Sequence, residues 1–356
     1  MRAPARVGDR LEGVDTPALI LDLDAFEKNL ATLKDSVKGK VRVRPHAKTH
    51  KCPEVAKRQM ALGAVGMCCQ KVSEAEAMVE GGIKDVLVTN EVVGAQKLER
   101  LAALSRRAKV GVCIDNAANL AQLKGDLDVY IELEVGMRRC GVEPGEPVVA
   151  LARQIPGNLR FAGLQAYHGR AQHLRSMEER HAAIETATQH VQHTKRLLAK
   201  AGIACPIVTG AGSGTFMLEV EAGAWDEIQP GSYAFMDVDY AKNEWAAPLP
   251  RFEHALFVLT TVMSRASDRA IVDAGLKASS VDSGMPTVWR RDGLRYARAS
   301  DEHGVIEGGP LPALGEKLQL VPGHCDPTIN LYDWYVCVRR GVVEALWPIT
   351  ARGALT

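Results

Sequence analysis

From about residue 17 to residue 245 the chain alternates two textures. Short runs rich in Val, Ile and Leu give way to longer Ala/Glu/Lys/Leu segments whose apolar positions recur at helical spacing. The short runs predict eight strands, at residues 41–45, 65–69, 85–89, 109–114, 129–134, 160–166, 206–209 and 226–229. Most of the intervals carry a helical pattern, as at 73–79, 96–104, 116–123 and 177–201. Strand alternating with helix implies a parallel sheet. Eight repeats over this length suit an α/β fold of the (β/α)8 TIM barrel type. A doubly wound open sheet is the competitor. It usually has fewer strands and a Gly-rich first turn, whereas the first turn here reads PHAKTHK.

After Trp245 the texture changes. Ala-Pro-Leu-Pro at 247–250 marks a boundary, and apolar runs without long helical patterns follow at 255–263, 269–274, 317–322, 334–339 and 342–347. Turns such as Arg-Asp-Gly (291–293) and Gly-Gly-Pro (308–310) separate them. This predicts an all-β C-terminal domain. The expected organisation is an N-terminal segment, 1–15, packed on the β domain, a barrel over 16–246, and the β domain over 247–356.

Composition narrows the function classes. With 356 residues the chain is long enough for about two domains with substantial cores. Its 44 basic and 43 acidic side chains leave a net charge of +1, which argues against broad nucleic-acid binding. No run approaches the roughly 18 apolar residues of a membrane span. The start, MRAPARVGDRLEG, lacks the apolar stretch of a signal peptide, which points to the cytoplasm. The 8 cysteines include no CxxC pair, so reduced core thiols are expected rather than a structural zinc cluster.

In a (β/α)8 barrel the functional groups gather at the C-terminal ends of the strands. There this sequence places His46–Lys51 (HAKTHK), Gln70-Lys71, Asn90-Glu91, Asp115-Asn116, Arg138–Gly141 and Tyr167-His168-Gly169. The seventh and eighth strands end in the Gly/Ser loops 209–215 and 230–233. Two such loops in these positions suggest a phosphate held by backbone N–H groups. HAKTHK reads either as a solvated basic loop or as a lysine at the barrel mouth. Desolvation and neighbouring cations would lower that lysine's pKa and let the neutral amine attack a carbonyl. Lys48, nearer the strand, is better placed than Lys51. A carbonyl compound with a phosphate handle is what pyridoxal phosphate offers. In the β domain, Pro-Gly-His-Cys-Asp-Pro-Thr (322–328) would put His324 and Asp326 on one face of an extended segment, with Cys325 turned away. An imidazole and a carboxylate suit a divalent ion completed by water or substrate. A loop histidine beside a turn aspartate is the plainer alternative.

RPHAKTHK, CCQKVSEAE, NEVVG, RCGV, GLQAYHG, QPGSYAFMD, VDAGLK, SDEHGV and PGHCDPT followed by NLYDWY resemble the D-threonine aldolase and 3-hydroxy-D-aspartate aldolase family. That group is related to the D-serine dehydratases, and its members are fold-type III pyridoxal-phosphate enzymes built like alanine racemase. The resemblance runs from about Asp15 to Gly353. It implies that Lys48 carries the cofactor as a Schiff base and that Gln70, Arg139 and Tyr167 surround the ring. It implies a phosphate cup of Ser213, Gly214, Gly231, Ser232 and Tyr233. It implies metal ligands at His324 and Asp326, with Mn, Mg or Zn as the ion. His173 matches a histidine that these aldolases place near the active site, and it is the candidate base for the β-hydroxyl proton; a metal-bound water is the rival. Asp301 and His303 are candidates for the substrate end or a surface turn, and Arg170 is one for a substrate β-carboxylate.

The family's dehydratases show His-x-Cys where its aldolases show His-x-Asp. His324-Cys325-Asp326 therefore favours retro-aldol cleavage of a small D-β-hydroxy amino acid to glycine and an aldehyde. Dehydration to an oxo acid and ammonia, or racemisation, are the enzyme alternatives. A non-catalytic pyridoxal-phosphate carrier and a phosphate-dependent barrel without that cofactor complete the field. D-threonine and 3-hydroxy-D-aspartate are not separated as substrates. A homodimer is expected by analogy.

Overall fold

The computed structural model describes residues 2–245 and 249–356. The boundary expected between 246 and 247 lies outside the described residues. In chain order the strands are β1 (Ala18–Asp22), β2 (Arg42–Val43), β3 (Met67–Cys69), β4 (Asp85–Glu91), β5 (Lys109–Ile114), β6 (Leu127–Glu132), β7 (Arg160–Ala166), β8 (Ile207–Gly210) and β9 (Glu227–Ile228). They continue as β10 (Leu256–Arg265), β11 (Arg269–Val272), β12 (Thr287–Val288), β13 (Arg295–Ala299), β14 (Gly304–Glu307), β15 (Lys317–Val321), β16 (Trp334–Arg339) and β17 (Val342–Pro348).

β2 to β9 form an eight-stranded sheet in the order β2-β9-β8-β7-β6-β5-β4-β3, with every pair parallel. The two ends of this order meet. His46 bridges Cys68 in parallel register, and the Val65 and Cys68 amides donate to the Val43 and Pro45 carbonyls at 2.9 Å. The sheet is thus a closed (β/α)8 barrel, and each of its strands overlaps one of the eight predicted runs. Helices cover the outside because the strands are apolar on both faces. A core of β-strand Val, Ile and Leu packs against Leu98, Leu101, Leu104, Val148 and Val191 of the surrounding helices. The longest helix, Met177–Lys200, begins at a capping box in which the Ser176 side chain accepts from the Glu179 amide while the Glu179 carboxylate accepts from the Ser176 amide.

The second sheet runs β13-β14-β11-β10-β1-β16-β17, with β15 pairing both β10 and β12. It is antiparallel except where β1 lies parallel to β16. The expected start of the barrel at residue 16 therefore needs correcting, because β1 sits inside the β domain between β10 and β16. Its residues 18–21, ALIL, lie outside the eight predicted runs and are buried on both faces. Residues before it lie on the same domain, with Gly8 donating to Val343 and Leu11 to Gly341, both at 2.9 Å. The helix that follows, Leu23–Val37, shares its core with Phe235 from the loop after β9 and with Tyr335 and Trp347 of β16 and β17. All eight cysteines are unpaired. Among the described residues no helix is long and apolar enough to cross a membrane.

Inside the barrel, Cys68, Leu87, Cys113 and Tyr130 make an apolar layer. A polar layer lies beside it. Arg44, 4% exposed, donates Nε to Glu227 at 2.8 Å and Nη1 to Asp85 at 2.6 Å. Glu227 is fully buried. Removing one partner of such a pair strands the other charge in a dry interior. Arg44→Met is therefore expected to lower stability by about 3–5 kcal/mol, read as the fall in the urea unfolding midpoint. An unchanged midpoint would contradict this account of the barrel interior.

Candidate active site

The C-terminal mouth of the barrel holds a cleft. Lys48, Gln70, Arg139, Tyr167, Ser213, Gly231 and Ser232 all line it. Lys48 reaches it from the short helix Ala47–His50, whose N-cap His46 accepts the Lys48 amide on Nδ1 at 3.3 Å. His46 Nε2 meets the Thr89 hydroxyl at 2.9 Å. Burial, and then Lys48, hold this imidazole far below its ordinary pKa, so it is neutral.

The Lys48 ammonium donates to Asp326 Oδ2 at 2.6 Å. This reverses the expectation of a lowered lysine pKa. Burial opposes the charge, but Asp326, with Tyr167 and Glu74 behind it, more than offsets that and raises the lysine. Asp326 is driven the other way. Burial alone would raise it, yet Lys48 and His324 bring it down to about 2. The second lysine of the motif, Lys51, is turned away in a left-handed conformation with φ 53°. It donates to Glu74 at 2.5 Å, and the same carboxylate accepts the Gln70 amide at 2.6 Å.

One wall of the cleft is built from the loops after β8 and β9. Ala211 takes φ 66°, which turns the chain sharply after Gly210. Gly231 passes so close to the lysine helix that a Cβ there would lie 2.4 Å from Thr49 Oγ1. Among the described residues the backbone amides of Gly212, Ser213, Gly231 and Ser232 donate to no protein acceptor. Converging free amides of this kind make an anion cup. Two members of the predicted cup stand differently. The Gly214 amide is taken by Gln172 Oε1 at 2.9 Å. Tyr233 joins only through its amide, which donates to the Ser213 hydroxyl at 2.9 Å. Its ring packs on Phe252, and its hydroxyl accepts from Gln59 at 3.1 Å, in the core beneath the cleft.

Arg139 lies over Tyr167, 5.8 Å from its ring centroid, and 3.8 Å from Glu132. Burial, and then Glu91, push the Glu132 carboxyl well above its usual range. Glu91, Asp115 and Cys140 stand beside this pair with their donor atoms within 4.8 Å of one another, a cluster that the strand-end reading had split among separate loops.

His324 and Asp326 lie at a helix start, not on an extended run. His324 is the extended N-cap of the helix Cys325–Ile329. The expected outcome for Cys325 is kept for a different reason, since helical geometry turns its thiol onto the Met236 carbonyl at 3.6 Å in the core. Burial pushes that thiol far up, away from thiolate character. His324 Nδ1 meets Asp282 Oδ2 at 2.8 Å. Asp326 Oδ1 is buried without a hydrogen-bond partner among the described residues. His173 is not among the cleft's lining residues. It stands at the rim, its ring 5.3 Å from that of Tyr240, which does line the cleft. Arg170 is exposed, and Asp301 and His303 lie on the exposed turn between β13 and β14. Reading strand ends one by one missed Gln165, Gln229 and Tyr240 in the cleft, and Asp282 behind His324.

Comparison with known proteins agrees with this geometry. The model of the alanine racemase N-terminal domain matches residues 21–239, and a serine dehydratase domain model matches residues 255–338. A D-threonine aldolase from Arthrobacter sp is 50% identical, over 98% of this chain and 96% of its own. A 3-hydroxy-D-aspartate aldolase from Paracoccus denitrificans (strain Pd 1222) is 47% identical, over 98% and 95%. The crystal structure of a D-threonine aldolase from Filomicrobium marinum superposes with a TM-score of 0.98 at 52% identity, covering 99% of this chain and all of that one. A barrel and β domain that meet at one cleft, matched along nearly their whole length, place this chain in the D-threonine aldolase and 3-hydroxy-D-aspartate aldolase family of lyases with the alanine racemase fold.

Proposed function

We propose that this enzyme uses pyridoxal phosphate and a divalent metal to cleave D-β-hydroxy amino acids of the D-threonine and 3-hydroxy-D-aspartate type to glycine and an aldehyde. The observation that carries this reading is the meeting of Lys48 and Asp326 within 2.6 Å, one group from each domain, beside a cup of free amides.

The alanine racemase fold implies pyridoxal phosphate, and the cleft fits it. Gly212, Ser213, Gly231 and Ser232 suit the phosphate, the Lys48 amine suits the aldehyde, and Gln70, Arg139 and Tyr167 suit the ring. When bound, this cofactor supplies an electron sink for the pair left at Cα. His324 and Asp326 fit Mn, Mg or Zn. Asp326 offers a buried, unpartnered oxygen, and the contact of His324 Nδ1 with Asp282 leaves Nε2 for ligation. Such an ion supplies a Lewis acid for the β-hydroxyl.

The chain's own groups then divide the work. Gln70, Arg139 and Tyr167 line the cleft where they would orient the ring. His173 accepts the β-hydroxyl proton as the Cα–Cβ bond breaks, and the oxygen leaves as the carbonyl of the aldehyde. A proton delivered to Cα completes glycine. The burial of Cys325 supports this reading over dehydration, because a thiol in the core is no metal ligand. The unpaired cysteines support a cytoplasmic setting, and the family pattern supports a homodimer.

Incubation of the holoenzyme with D-threonine and with both 3-hydroxy-D-aspartate diastereomers, with and without Mn or Mg, is expected to release glycine and an aldehyde. Release of an oxo acid and ammonia would overturn the reading. Lys48→Ala is expected to abolish the visible absorbance of the protein-bound cofactor, and a retained band would move the attachment site elsewhere. Exhaustive chelation is expected to remove activity while leaving that absorbance in place. Full activity after chelation would exclude the metal's role.

A further inference from the structure

We infer that Asp239 is the positioning residue for His173, and that it fixes which imidazole nitrogen can take a proton. The inference rests on the reading of His173 as the base. His173 Nδ1 stands 2.6 Å from Asp239 Oδ2, and Nε2 has no hydrogen-bond partner among the described residues. A carboxylate accepts and does not donate, so Nδ1 carries the hydrogen, and in the neutral ring Nε2 is the nitrogen left to take a proton. Asp239 is ionised in this setting. Burial raises its pKa, but hydrogen bonds from Arg175 and His173 more than offset this and hold it below the ordinary range.

The carboxylate is itself clamped. Arg175 Nη2 donates to Asp239 Oδ1, and Nη1 donates at 2.7 Å to both the Asp239 carbonyl and Asn243 Oδ1. Asn243 Nδ2 donates to the Gln172 carbonyl at 2.9 Å, and the Gln172 side chain takes the Gly214 amide at 2.9 Å and donates to Thr215 Oγ1 at 2.7 Å. The imidazole is thereby indexed to the loop after β8. The other side is fixed as well. The Val238 and Asp239 amides donate to the Pro322 and Gly323 carbonyls at 3.0 and 3.2 Å, directly before His324. One short segment, 238–243, thus sets the imidazole against both the anion cup and the His324–Asp326 turn. An imidazole on a loop, half exposed and held only by its own backbone, would spread over several rotamers. The Asp239 clamp removes that freedom before substrate arrives.

The charged and titratable groups facing His173 are Asp239 and Tyr240 from one side and Arg175 from its own loop, and they set opposite signs for two substitutions. Asp239→Asn removes the anion, so protonated His173 loses its support and the acid limb of the kcat/KM profile moves to lower pH. Its kcat falls about tenfold to a hundredfold with little change in KM. Arg175→Met leaves the anion but removes its cationic partner, so the acid limb moves to higher pH. Asp239→Glu restores part of kcat. His173→Gln, run alongside, separates the two claims. If His173→Gln keeps wild-type kcat, the base reading fails and this inference with it. If His173→Gln is inactive while Asp239→Asn and Arg175→Met keep both kcat and the wild-type limb, the positioning role alone is overturned. If Asp239→Asn does not fold, Arg175→Met and Asp239→Glu decide: limbs moved by Arg175→Met with partial activity in Asp239→Glu support it, and unmoved limbs overturn it.

Discussion

A lysine and an aspartate 278 residues apart share a hydrogen bond of 2.6 Å, and the candidate site exists only if two domains hold that distance. Ion pairs alone do not hold domains together, because their attraction largely offsets the cost of drying the charges. A set of backbone-anchored hydrogen bonds around the pair joins the two domains. The Asp237 carboxylate accepts from the Tyr240 amide and from the Cys325 amide, both at 2.9 Å, so a single buried side chain caps helices of both domains. The Tyr335 hydroxyl donates to the His50 carbonyl at 2.8 Å, and the Ala351 amide donates to the Lys51 carbonyl at 3.0 Å. The C-terminal end of the lysine helix is thus tied twice to the β domain, and β1 ties the N-terminal part of the chain into the same domain.

That arrangement settles the electrostatics of the cleft. A lysine crowded by cations would be poised to lose its proton. Lys48 faces a carboxylate instead, and each charge supports the other against burial. His46 is kept neutral, and Glu132, beside Arg139, is pushed toward its protonated form. The near-zero net charge of the chain is consistent with a site whose affinity for phosphate comes from backbone amides. Amides carry no formal charge and leave no trace in a count of basic residues.

Much of this was legible in the sequence because barrel strands are marked by composition and their ends by position. Eight apolar runs put Lys48, Gln70, Arg139, Tyr167, Ser213, Gly231 and Ser232 among the polar residues at strand ends, and the resemblance to the aldolase family singled them out. What escaped depends on facts that a linear reading does not carry. β1 has the composition of a barrel strand, and only its partners reveal that it belongs to the other sheet. The sign of the Lys48 shift turns on a residue from another domain. Tyr233 is next to the cup in sequence, yet its side chain follows the turn of the loop into the core. Cys325 is turned from His324 and Asp326 by the first turn of a helix and not by the strand alternation that the sequence suggests. Asp237, Asp239 and Asp282 act through partners far along the chain, and no local motif announces them.

In the proposed function the β domain supplies the metal ligands at the barrel mouth, His324 and Asp326. The described residues also contain a rival donor cluster, Glu91, Asp115 and Cys140, formed entirely within the barrel. Anomalous diffraction from crystals of the holoenzyme grown with manganese distinguishes the two directly. The strongest anomalous peak is expected between the side chains of His324 and Asp326. A peak at Glu91, Asp115 and Cys140, with none at His324 and Asp326, would contradict the proposed ligands.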